Sequence, residues 1–100
     1  MASGAAKVYH GSYIGTGAAK TIDSVPFPPK SVEFVNITDG TTTAFKWAGM
    51  DGSTFVKVVA DAGPVAATTQ GVTLTDDGFD LGTDAAVNES GKTFLFRASE

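Results

Sequence analysis

The strongest constraint in this sequence is a two-residue rhythm. Apolar and polar residues alternate in short runs, and Gly, Pro and Asp interrupt those runs at close intervals. Successive side chains of a strand point to opposite faces, so the rhythm reads as short, half-buried strands. Many short strands separated by frequent turns read as a β-sandwich or a β-barrel. No stretch of ten residues carries a 3.6-residue period, which limits helix to a single turn.

Strands are expected at Val8–Ile14, Ala18–Ile22, Ser31–Thr38, Thr41–Trp47, Ser53–Ala60, Val72–Thr75, Phe79–Leu81 and Lys92–Arg97. Val65–Gln70, rich in Ala and Thr, is ambiguous, and Gly82–Asn88 reads as irregular. Between the second and third strands, Val25-Pro26-Phe27-Pro28-Pro29 cannot be a central strand, because its three prolines lack the backbone donor. It reads as an extended crossover with Phe27 as a core plug. Asp39-Gly40 is the signal for a two-residue type I′ hairpin, in which both central residues take positive φ. On the return strand Thr43, Phe45 and Trp47 share a face, which places Phe45 and Trp47 in the core and Lys46 in solvent. In Lys92–Arg97, Phe94 and Phe96 share the core face with Ala98. The reading is one all-β domain over residues 8–100, a compact sandwich or barrel-like fold of about seven to nine short strands. It follows an N-terminal arm, residues 1–7.

A chain of 100 residues buries roughly 64% of its unfolded surface, enough for one modest core. There is no cysteine, so neither a disulfide nor a thiolate metal site can reinforce it. Oligomerisation, or docking on a larger surface, is then one option for the missing stability. A net charge of −4 argues against a nucleic-acid partner. The longest apolar runs fall short of a membrane span, and Met1–Lys7 does not read as the charged start of a signal peptide. The sequons Asn36-Ile37-Thr38 and Asn88-Glu89-Ser90 read as chance occurrences of a common tripeptide.

Residues able to carry chemistry are few. His10 is the sole histidine. Ser12 shares its strand face, but no nucleophile elbow or third member of a triad accompanies them. Asp76, Asp77, Asp80 and Asp84 cluster around Gly78 and Gly82 without the spacing of a calcium-binding loop. They read as turn residues. Gly15-Thr16-Gly17-Ala18-Ala19-Lys20-Thr21 lacks the Gly before Lys that a P-loop requires. No sequence feature groups Glu33, Glu89 and the aspartates into a carboxylate pair for glycoside hydrolysis. Neither an enzyme nor a cofactor is expected. Tyr suits a half-wet contact, and Tyr9 and Tyr13 share a strand face. With Ala5, Lys7 and Val8 they form the expected partner contact.

Several elements together resemble small structural proteins of tailed-bacteriophage virions. These are the opening strand with its Gly15-Thr16-Gly17 turn, the Val25–Pro29 segment leading into Val32-Glu33-Phe34-Val35, and the hairpin to Phe45-Lys46-Trp47 with Met50 after it. The closing block, Asp77-Gly78-Phe79-Asp80-Leu81-Gly82-Thr83-Asp84-Ala85-Ala86-Val87-Asn88-Glu89-Ser90-Gly91 and the strand to Ala98, carries the most specific part of the likeness. The resemblance implies a β-module of the virion. Its first reading is a decoration (cement) protein on the outer capsid surface, acting as a homotrimer and bridging subunits of the major capsid protein against internal pressure. The alternative is a tail-fibre or tail-tip module that binds host-surface carbohydrate through the loops Ala48–Gly52 and Ala62–Gln70. A β-domain of some other role is the third reading.

Overall fold

The computed structural model describes residues 7–40, 42–58 and 63–100. Two antiparallel sheets face each other as an open sandwich. The larger runs β1 (Val8–Ile14), β9 (Thr93–Ser99), β3 (Ser31–Asn36), β4 (Thr43–Trp47), β5 (Phe55–Val58) and β6 (Val65–Ala67) in spatial order. The smaller runs β2 (Lys20–Ile22), β8 (Gly78–Leu81) and β7 (Val72–Thr75). The chain is therefore a sandwich and not a closed barrel. The arm expected at residues 1–7 lies outside the described residues except for Lys7, as do Thr41, residues 59–60, where the strand beginning at Ser53 is expected to end, and residues 61–62 beyond it.

One apolar layer lies between the sheets. Val32, Phe34, Phe94, Phe96, Ala98, Ala44 and Phe55 fill it from the large sheet, and Val72, Phe79 and Leu81 from the small one. Phe79 meets Phe34 and Phe96 edge-on, with ring centroids 5.3 and 5.0 Å away, the geometry the ring quadrupoles favour. The proline-rich crossover behaves as the sequence implies: Val25, Phe27 and Pro29 alternate inward while Pro26 and Pro28 face solvent.

Three local readings differ from the structure. The first concerns β4, whose buried face is Ala44 and Lys46, whereas Trp47 is 50% exposed. Register explains it. Val32 opposes Lys46 and Phe34 opposes Ala44, so once Val32 and Phe34 take the core, their partners must share it. Lys46 tolerates burial because its ammonium donates to the carbonyls of Met50, Gly52 and Thr54 at 2.9, 2.9 and 2.7 Å. Its stem packs as a hydrocarbon. Burial pulls the Lys46 ammonium below the ordinary lysine range, and Asp51 opposes that effect.

The second is the hairpin after β3. Only Gly40 takes positive φ, at 70°, and its N–H donates to the Asn36 carbonyl at 2.8 Å. The buried Asn36 side chain accepts from the N–H groups of Thr38 and Asp39 at 3.0 and 3.1 Å. Such an Asx turn winds Ile37, Thr38 and Asp39 into a longer loop in place of the two-residue type I′ turn.

The third is the irregular stretch before β9, which contains one helical turn, α1 (Ala85–Asn88). Asp84 caps it by accepting from Ala86 N at 2.8 Å and also pairs with Lys57 at 3.0 Å. Asn88, fully buried, accepts from Thr16 N–H at 2.8 Å. Its amide donates to the carbonyls of Ala18 and Gly82 at 2.5 and 2.8 Å. The loop after β1 is thereby tied to the closing block.

Two stability predictions follow from these buried polar groups. Lys46→Met keeps the stem and removes the ammonium, leaving three carbonyls against a thioether. The expected loss is about 3 kcal/mol, measured by urea unfolding. A loss within experimental error would show that water satisfies the carbonyls as well as the ammonium does. The Tyr13 hydroxyl donates to Val87 O at 2.6 Å, and burial pushes its phenol above the ordinary tyrosine value. The neutral phenol is the form the fold holds. Its contribution is complete below about pH 10 and is lost as pH rises toward the folded value. Tyr13→Phe should cost about 1 kcal/mol near neutrality, and the gap from wild type should close above about pH 10. A gap constant from neutral to strongly alkaline pH would contradict this.

Candidate functional site

The outer face of the six-stranded sheet is the most distinctive surface among the described residues. Antiparallel register sets it out in rows. One row runs His10, Arg97, Glu33, Phe45, Val56. The next runs Ser12, Leu95, Val35, Thr43, Val58. Val8, Ser99, Ser31 and Trp47 make a third. Ile14 and Thr93 lie at one end, where Ile37 N–H donates to Thr93 O at 3.0 Å.

A sheet with one wet face normally shows polar residues there. Here Leu95, Ile37 and Trp47 are 42%, 49% and 50% exposed. Arg97 and Glu33 are the charged side chains on the strand positions of this face, and they pair with each other. The face is thus close to neutral on a chain of net charge −4. Phe45 and Trp47 stack, with centroids 4.9 Å apart and planes 29° apart. A shallow hollow of about 550 Å³ lies over the centre of the face, with His10, Glu33, Val35, Phe45, Leu95 and Arg97 in its wall.

The residues expected at a partner contact divide. Ala5 lies outside the described residues. Lys7 is exposed, and its carbonyl accepts from Glu100 N–H at 3.0 Å. Val8 is on the outer face. Tyr9 is half-buried on the inner face, 6.1 Å from the Phe96 ring. Tyr13 is in the core, stacked on Phe94 at 5.3 Å, so its side chain is not a surface for a partner. Gly11, between the two tyrosines, is covered by Phe96. A Cβ there would lie 2.6 Å from the Phe96 ring.

His10 and Ser12 do share the outer face, with Arg97 and Leu95 as their cross-strand neighbours. The aspartates of the closing block serve separate local partners. Asp80 accepts from Thr21 and Asp77 from Thr75, while Asp84 caps α1. Among the described residues no three His, Asp or Glu side chains converge to hold a metal ion. No described helix is long and apolar enough to cross a membrane. The outer face itself was missed because β3 and β4 carry apolar residues on both faces. The available signal was Val35 and Ile37 alternating with Phe34 and Asn36.

No known protein family, curated protein or solved structure matches the chain.

Trp47 is the single tryptophan, so fluorescence reports on this face directly. Its emission should lie near that of indole in water and be quenched readily by iodide. A blue-shifted emission resistant to quencher would place the indole in the core instead.

Proposed function

We propose that the chain is a non-catalytic structural protein of a tailed-phage particle, a decoration protein that lays the outer face of its large sheet on the capsid. The observation that carries this reading is that face, where exposed Val8, Ile14, Ile37, Trp47 and Leu95 stand among Ser and Thr residues and the two charged side chains pair with each other. Several large apolar side chains exposed on one face mark a protein contact more often than single scattered ones do. Six strands at about 4.8 Å spacing, each about five residues long, make a face of roughly 24 by 17 Å. That is about 400 Å² in plan, about half of one partner's share of a standard interface, so flanking loops would complete the contact. The partner is the major capsid protein, and contacts that straddle two of its subunits would resist their separation. The stability a small cysteine-free core lacks is then supplied by the neighbour.

A second reading has its own observation. The stacked Phe45–Trp47 pair, beside Glu33 and Arg97, offers a sugar an apolar platform and planar hydrogen-bonding groups. This supports a tail module that binds host-surface carbohydrate, although on the sheet face and not on the loops first expected.

Copy number separates the two. Quantitative mass spectrometry of purified particles of the virus encoding the chain should find it in hundreds of copies. A handful of copies favours the tail, and none overturns both readings. Leu95→Glu should abolish attachment to particles lacking the protein while leaving the melting temperature unchanged. Retained attachment would move the contact off this face.

A further inference from the structure

We propose that two copies of this chain pair edge to edge through β1, antiparallel, about a twofold axis at Gly11.

β1 is the outermost strand at one side of the large sheet, with no described strand beyond it. The direction of its free backbone groups follows from its ends. Glu100 N–H donates to Lys7 O, and Gly15 N–H donates to Lys92 O. Lys7 and Gly15 flank the β1 register, so the odd-numbered residues exchange hydrogen bonds with β9. Val8, His10, Ser12 and Ile14 therefore turn their N–H and C=O groups toward the open edge.

Natural sheets blunt such edges with short strands, Pro, Lys or bulges. Two of the three other described edges follow that rule, and the third, β7, has only four residues. β6 has three residues and follows Pro64, and β2 has three residues and begins with Lys20. β1 has seven residues, no Pro, no Lys and no bulge in its pairing with β9.

The strand also reads nearly the same in both directions. Val-Tyr-His-Gly-Ser-Tyr-Ile is aliphatic, Tyr, polar, Gly, polar, Tyr, aliphatic. In a twofold antiparallel pair, residue i meets j and j meets i. Centring the axis on Gly11 sets Val8 against Ile14, Tyr9 against Tyr13, His10 against Ser12, and Gly11 against itself. Every facing pair then matches in character. The parity agrees as well. Val8, His10, Ser12 and Ile14 become the hydrogen-bonded positions, giving eight backbone bonds over four pairs. Gly11 falls at a non-hydrogen-bonded position, where the two backbones approach most closely and where its own Phe96 already fills the inner side.

Two further observations favour a second copy over another partner strand. Val8 and Ile14, 50% and 60% exposed, stand at opposite ends of β1 and would cover each other's counterparts. The strand carries no Asp, Glu, Lys or Arg, so two copies of net charge −4 meet where neither bears charge. The pairing does not depend on the capsid reading, and it gives twofold symmetry in place of the threefold one that the resemblance implies.

Sedimentation of the full chain at tens of micromolar should show a monomer–dimer equilibrium. His10→Lys/Ser12→Lys and His10→Glu/Ser12→Glu change exposed outer-face residues and set like charges opposite each other. Each should weaken the dimer at least about tenfold, with circular dichroism unchanged. An equimolar mixture of the two should form a mixed dimer, as antiparallel pairing along β1 predicts. In wild type, hydrogen exchange of the even-numbered β1 amides should slow as concentration rises, which tests the edge without a variant. A monomer at all concentrations, a trimer, a dimer indifferent to both charge sets, or exchange independent of concentration would each overturn the proposal. A trimer would leave the capsid reading standing.

Discussion

The structure depends on a single apolar layer, and Phe79 is its pivot. With no cysteine to cross-link the chain, the two sheets are joined by what packs between them. Phe79 sits edge-on between Phe34 and Phe96, which oppose each other across β3 and β9. That contact fixes register through the centre of the large sheet. A slip of one residue in either strand would send its phenylalanine to the outside and bring its charged neighbour, Glu33 or Arg97, in alone. Charged residues without partners in that layer would cost several kcal/mol each. The position of β1 follows, since Tyr13 stacks on Phe94 and its hydroxyl reaches the Val87 carbonyl. Asn88 then fixes the loop between β1 and β2 with two side-chain hydrogen bonds, to Thr16 and Ala18, while a third holds Gly82.

What the sequence made legible was whatever a two-residue period can encode. β1 and β7 have the bounds read from alternation, and β9 starts one residue later and ends two later than expected. The crossover through Phe27 was legible because proline removes donors in any context. The face of β4 was not. Thr43-Ala44-Phe45-Lys46-Trp47 alternates cleanly, and residue hydrophobicity favours Phe45 and Trp47 for the core. The core took Ala44 and Lys46, since pairing with Val32 and Phe34 outweighed the local preference. The turn at Asn36 was hidden because its organising acceptor is a side chain inside the preceding strand. Of the candidate contact residues, Val8 and Lys7 are exposed, whereas Tyr13 is spent on the core.

The inverted β4 has a consequence for the surface. Moving Phe45 and Trp47 outward adds two stacked aromatics to a face that already holds Val35 and Leu95. One register choice thus both completes the inner layer and creates the outer patch. The core and the candidate docking face are two sides of one pairing, and a change that shifts β4 against β3 alters both together.

Lys46 carries a different implication. Three carbonyls of the segment Met50–Thr54 converge on its ammonium, an arrangement of oxygens that loops elsewhere fill with a diffusible cation. Here the positive charge is covalently tethered to the adjacent strand. The shape of that loop therefore does not depend on capturing a metal cation from solution.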